Sequence, residues 1–113
     1  MRTTELLTDD DRIRLFVNAL ADERDHYPVV KLFTPDAGAT WLISECDPDE
    51  PDRLFGLCDL GAGHAELGYV NLAEIIKVRG GLGLPVERDL HFVADKPLSA
   101  YAEKARINGR IIA

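Results

Sequence analysis

No apolar run in this chain approaches the ~18 residues that cross a bilayer. The N-terminal stretch, with Glu5 and Asp9 to Asp11, also lacks the pattern of a secretory signal. A cytoplasmic chain without a membrane partner is therefore expected. Cysteine is scarce: Cys46 and Cys58 are the two present, and without an export signal they are expected as reduced thiols rather than a bridge. Among Cys46, Cys58, His64 and His91 there is no Cys-x-x-Cys or His-x-x-x-His pair, so no short element presents two soft ligands. Neither a metal nor a cofactor is expected. Positive charge is also in short supply, with 13 Lys and Arg against 20 Asp and Glu, a net of −7. The deficit lies in residues 1–60, which carry a net of −8, whereas residues 61–113 carry +1. Such a surface repels phosphate backbones, so direct nucleic-acid binding is not expected.

What is there suits one domain spanning residues 1–113: 46% hydrophobic residues over that length can form a single core. Thr8 reads as an N-cap, with Asp9, Asp10 and Asp11 at the positive end of the following helix. Ile13, Phe16, Val17 and Leu20 fall at i, i+3, i+4 and i+7, which predicts one buried stripe on that helix, against an Arg14, Asn18 and Asp22 face. Val29 to Phe33 reads as a strand. Thr40 to Glu45 alternates with Trp41 and Ile43 on one face, as a strand with one wet side would. Arg53 to Leu60, interrupted at Gly56, and Ala65 to Val70 complete an antiparallel meander through the turn Gly61 to Gly63.

Asn71 and Glu74 then resemble a capping box ahead of a short helix with Leu72, Ile75 and Ile76 inward. Arg88 to Val93 reads as a last strand. Pro97 opens a helix with Leu98, Tyr101, Ala102 and Ala105 inward, stopped at Gly109. Arg110 to Ala113 reads as an added strand or a frayed tail. The class is α+β: a mostly antiparallel sheet of about five strands with an N-terminal helix, a short crossover helix and a C-terminal helix. The helices are expected on one face of the sheet.

The motifs that carry chemistry are incomplete. Gly80-Gly81-Leu82-Gly83 could converge N–H groups on an anion, yet it follows a helix and enters a strand and matches neither a dinucleotide loop nor a Walker loop. Close packing of its glycines is the better account. The acidic loop Asp47 to Asp52 fails the calcium-loop pattern, having Asp52 where glycine is required and Cys58 where glutamate is required. Glu87, Asp89 and His91 share one face of the predicted last strand and could perform acid–base chemistry, but no nucleophile, metal set or cofactor motif joins them.

Lys31-Leu-Phe-Thr-Pro-Asp36, Trp41, Leu54-Phe-Gly-Leu57, Glu66-Leu-Gly-Tyr69, Val78-Arg-Gly80 and Gly83-Leu-Pro-Val-Glu-Arg-Asp-Leu90 resemble domain-of-unknown-function family 2958 over about Lys31 to Leu98. The resemblance implies a small protein of bacterial plasmids and other mobile elements and transfers no activity. The expectation is an accessory protein of such an element, non-catalytic and acting on a protein partner, with Arg79, Glu87, Arg88 and Asp89 as the binding edge. Two alternatives stand beside it. One is a small hydrolase or nucleotide-processing enzyme using Glu87, Asp89 and His91. The other is an acidic DNA mimic built from Glu45 to Asp52 and extended by Asp9 to Asp11.

Overall fold

A computed structural model describes residues 6–113. The elements run α1 (Asp9–Leu20), β1 (Val30–Phe33), β2 (Thr40–Cys46), β3 (Arg53–Asp59), β4 (Ala65–Asn71), α2 (Leu72–Lys77), β5 (Glu87–Arg88) and α3 (Leu98–Asn108). One antiparallel sheet holds the strands in the order β4-β3-β2-β1-β5. The first four strands form the expected meander, and the chain then crosses through α2 to add β5 at the far edge.

β2 lies at the centre of this sheet, and its position corrects the expectation of one wet face. Trp41, Ile43 and Cys46 join Leu15 of α1, Leu72 and Ile75 of α2, and Leu54 in one core. Leu42 joins Leu57 with Leu98, Tyr101 and Ala105 of α3 in a second. The sheet is thus covered on both sides, α1 and α2 on one and α3 on the other. Residues of both parities along β2 are buried for that reason. β3 runs unbroken through Gly56, where any Cβ would collide with the Leu42 carbonyl of the neighbouring strand. A bulge between Ile43 and Glu45 shifts the β2–β3 register.

The ends of the helices follow local rules. Thr8 and Asp11 form a reciprocal capping box, Asp11 N donating to Thr8 Oγ1 at 3.1 Å and Thr8 N to Asp11 Oδ2 at 2.9 Å. Asn71 caps α2 through Ala73 N at 2.9 Å. Gly109 closes α3 in the left-handed conformation, φ 77°. Two expectations are corrected near the C-terminus. The last strand is only Glu87–Arg88, because after Asp89 N donates to the Lys31 carbonyl the chain turns away at Leu90 and His91. Residues 110–113 are neither strand nor frayed tail: Ile111 is buried, and its N–H donates to the buried Asp59 carboxylate at 3.0 Å.

The largest correction concerns α1. Its apolar stripe is exposed, Ile13 at 62%, Phe16 at 40%, Val17 at 57% and Leu20 at 62%. The helix rests on the sheet through Asp11, Leu15 and Asn18 instead. Leu15 is its one fully buried apolar side chain. Asp11 pairs with Arg88 of β5, and Asn18 Nδ2 donates to the Ser44 carbonyl at the bulge, 2.9 Å away. Both partners are polar groups that need satisfying inside the fold, and they outbid the stripe for the inward face.

Candidate contact surface

The segment from Val78 to His91 is organised by a carboxylate from elsewhere. Asp36, in the turn after β1, accepts from Leu82 N at 2.7 Å and Leu84 N at 3.2 Å through Oδ2. The anion that the glycine-rich loop cradles is thus the chain's own. Gly80 has no room for a Cβ because the same carboxylate occupies the space. This accounts physically for two of the sequence motifs at once, Thr34-Pro35-Asp36 and the glycine loop, which lie together although 46 residues separate Asp36 from Leu82.

The four residues of the expected binding edge have different fates. Arg79 turns its guanidinium back on the end of α2, donating to the Ile76 and Val78 carbonyls, both at 2.8 Å. Glu87 is exposed. Arg88 is half-buried on the α1 side, donating to Asp11 and to the Leu6 carbonyl. Asp89 lies on the opposite side, 3.4 Å from Lys31 Nζ, and accepts from His91 N at 2.9 Å. Burial pushes the Asp11 carboxyl up, but the hydrogen bonds from Arg88 and Thr8 outweigh it and leave its pKa below the ordinary value. The Asp89 carboxyl is also lowered, by the His91 N–H first and then by Lys31.

Glu87, Asp89 and His91 do not converge. Asp89 lines a cleft of about 410 Å³ together with Lys31, Phe33, Thr40, Asp59 and Arg110, and neither Glu87 nor His91 reaches it. The other carboxylate there, Asp59, accepts from Gly61 N at 2.8 Å and from Ile111 N, so it serves to pin the tail. Cys46 and Cys58 are both free thiols with pKa raised by burial, which keeps them protonated and unreactive. Among the described residues no three His, Cys, Asp or Glu side chains form a group that could hold a metal ion. No helix among them is long and apolar enough to cross a membrane.

The outward face of α1 is different in kind. Ile13 and Phe16 border a hollow of about 280 Å³ floored by Leu15 and Cys46 and closed by Arg12 and Pro51. Around it stand acidic groups from two parts of the chain. Asp9 and Asp10 are exposed on the first turn, and Asp49, Glu50 and Asp52 on the loop after β2. Arg12 NH1 lies 3.0 Å from Asp52 Oδ1, which fixes the helix beside that loop. Asp47 is committed within its own loop: the N–H of Asp49 first, then Arg53, hold its carboxyl below the ordinary pKa. Exposed apolar patches rimmed by polar groups are a general mark of interaction sites. Sequence periodicity found its four residues but assigned them to the core.

The fold and these surfaces define a small α+β domain with a sheet clad on both sides. The chain belongs to the family described as Protein of unknown function (DUF2958), which matches residues 6–112. That match extends well beyond the Lys31 to Leu98 stretch carrying the sequence resemblance. Comparison with curated proteins gives no match, nor does comparison with solved structures.

Proposed function

We propose that this chain is a non-catalytic accessory protein of a bacterial mobile genetic element and acts by binding another protein through the outer face of α1. The observation that carries the reading is the exposed stripe Ile13, Phe16, Val17 and Leu20, four apolar residues on one face of a helix whose inner face is anchored by polar contacts. The genetic setting rests on the family resemblance alone. A fitting partner is apolar at the centre of its contact and basic at the rim, to meet Asp9, Asp10, Asp49 and Glu50. The test is affinity purification from cells that carry the gene, comparing the wild type with an Ile13→Lys, Val17→Lys, Leu20→Lys variant. A stoichiometric partner retained by the wild type and lost by the variant supports the reading. Reproducible absence of any such partner overturns it.

One contact favours a second reading, the acidic DNA mimic. The Arg12–Asp52 pair sets α1 against the acidic loop, the adjacency that a continuous negative array requires. Against it, Asp11 is tied to Arg88 and Asp47 to Arg53, so the array is thinner than the sequence suggests. A mimic binds a DNA-binding protein with an affinity that falls with salt and is lost when Asp47, Asp49, Glu50 and Asp52 are neutralised together. Affinity indifferent to both changes rules it out.

A further inference from the structure

The two edges of the sheet are treated differently. On one side β5 is only two residues long and carries the exposed charge of Glu87. That is how proteins commonly blunt an edge. On the other side β4 offers seven residues, Ala65–Asn71, in regular register with β3 from end to end. It has no bulge, no proline, no lysine and a single charge, Glu66. Among the described residues no strand lies beyond it. Leu67 and Tyr69 are half exposed, at 50% and 52%. Such an edge is a template for another strand.

Gly68, at the midpoint of β4, is the informative residue. It lies opposite Gly56 in the register, yet the two glycines have unlike reasons to be there. Gly56 is required by the Leu42 carbonyl, whereas a Cβ on Gly68 meets nothing within 4 Å, and its φ is not positive. The single chain therefore has no need of glycine at 68, where it weakens the strand. A strand glycine often marks a bulge, a tight bend or the close approach of a ligand or another backbone, and β4 has no bulge at Gly68.

We infer that β4 pairs with β4 of a second copy about a two-fold axis through Gly68, joining the two sheets into one of ten strands. Antiparallel pairing of a strand with itself is isologous, so one register must satisfy both copies. Centring on Gly68 does so. Leu67 then faces Tyr69 of the other copy, apolar against aromatic on the α3 side of the sheet, a favourable cross-strand pair. Glu66 faces Val70 and Ala65 faces Asn71, so no like charges are opposed. Glycine leaves the axis itself unobstructed. The charge on β4 itself does not oppose this contact, because its one charged residue, Glu66, faces Val70 in this register. A second copy docked through α1 would instead set acidic rim against acidic rim.

The test is the mass of the particle in solution by sedimentation equilibrium, together with amide hydrogen exchange along β4. The wild type is expected to have twice the chain mass and to dissociate on dilution, with β4 amides protected in the dimer. Gly68→Lys is expected to have the mass of one chain, with lost protection confined to β4 and an unchanged circular dichroism spectrum, because the space beside Gly68 is open but two ammonium groups would meet on the axis. Leu67→Lys is expected to act likewise. A wild type of single-chain mass at high concentration overturns the inference, as does a Gly68→Lys variant that keeps the doubled mass. Protection of the β4 amides that point away from β3, in a particle of single-chain mass, would show that the edge is covered within the chain, and would overturn it too.

Discussion

Asp36 and Gly80 show how a single carboxylate can give an irregular segment its shape. The glycine loop has no ladder of its own, and Asp36 satisfies two of its N–H groups while standing where a Gly80 side chain would be. Gly80→Ala and Asp36→Ala act on the same two hydrogen bonds, so each should cost about 1 to 2 kcal/mol and the double variant little more than the larger single. Urea unfolding of the four proteins checks this, and simple additivity would separate the two effects. The Asp11–Arg88 pair is the stronger local tie, with both side chains mostly buried. Removing the guanidinium leaves a buried carboxylate without its counter-charge, held by the Thr8 N–H, so Arg88→Ala should cost about 3 kcal/mol.

The acid limb of stability follows from the same pair and from Asp89. Both carboxyls have native pKa values below the ordinary 3.8. The stability each contributes is complete above that value and is lost as pH falls through the native pKa. Wild-type stability should therefore drop as pH falls below about 4, and Asp11→Asn should be less stable at neutral pH with a shallower drop. Denaturant midpoints across that range measure both.

At the scale of elements, the sequence was informative wherever the cause was local. β-Branched strands, the Thr8 and Asn71 caps, the Gly109 stop and the meander turns depend on neighbours a few residues away, and the structure has them. Facing was not legible for α1. Period 3.6 identifies an apolar stripe but not its direction, and the direction was set by Arg88, 77 residues from Asp11, and by a bulge carbonyl 26 residues from Asn18. The length of β5 was hidden too, because the Asp89 carboxylate accepts from His91 N and holds the turn at Leu90 and His91 that ends the strand. Trp41 was legible, because alternation with Ile43 survives being covered on both faces. It is 2% exposed, and Trp41→Ala should cost about 3 to 5 kcal/mol, read by thermal or urea unfolding.

For the molecule as a whole, two surfaces stand out among the described residues: the outer face of α1 with its acidic rim, and the β4 edge. Neither was visible in the sequence as a site, because each is defined by what fails to cover it in three dimensions. The expected binding edge was legible as a dense run of charge, yet much of that charge holds α1, α2 and β1 together. Partner binding through α1 requires its apolar stripe to face outward, and thermal unfolding of the Ile13→Lys, Val17→Lys, Leu20→Lys variant tests this most directly. Lysine is as good a helix former as these residues or better, and an outward stripe gives up no core packing. The predicted melting temperature is equal to or above that of the wild type. A variant that fails to fold, or that loses the several kcal/mol expected for buried Ile, Val and Leu, would place the stripe in the core and contradict the account.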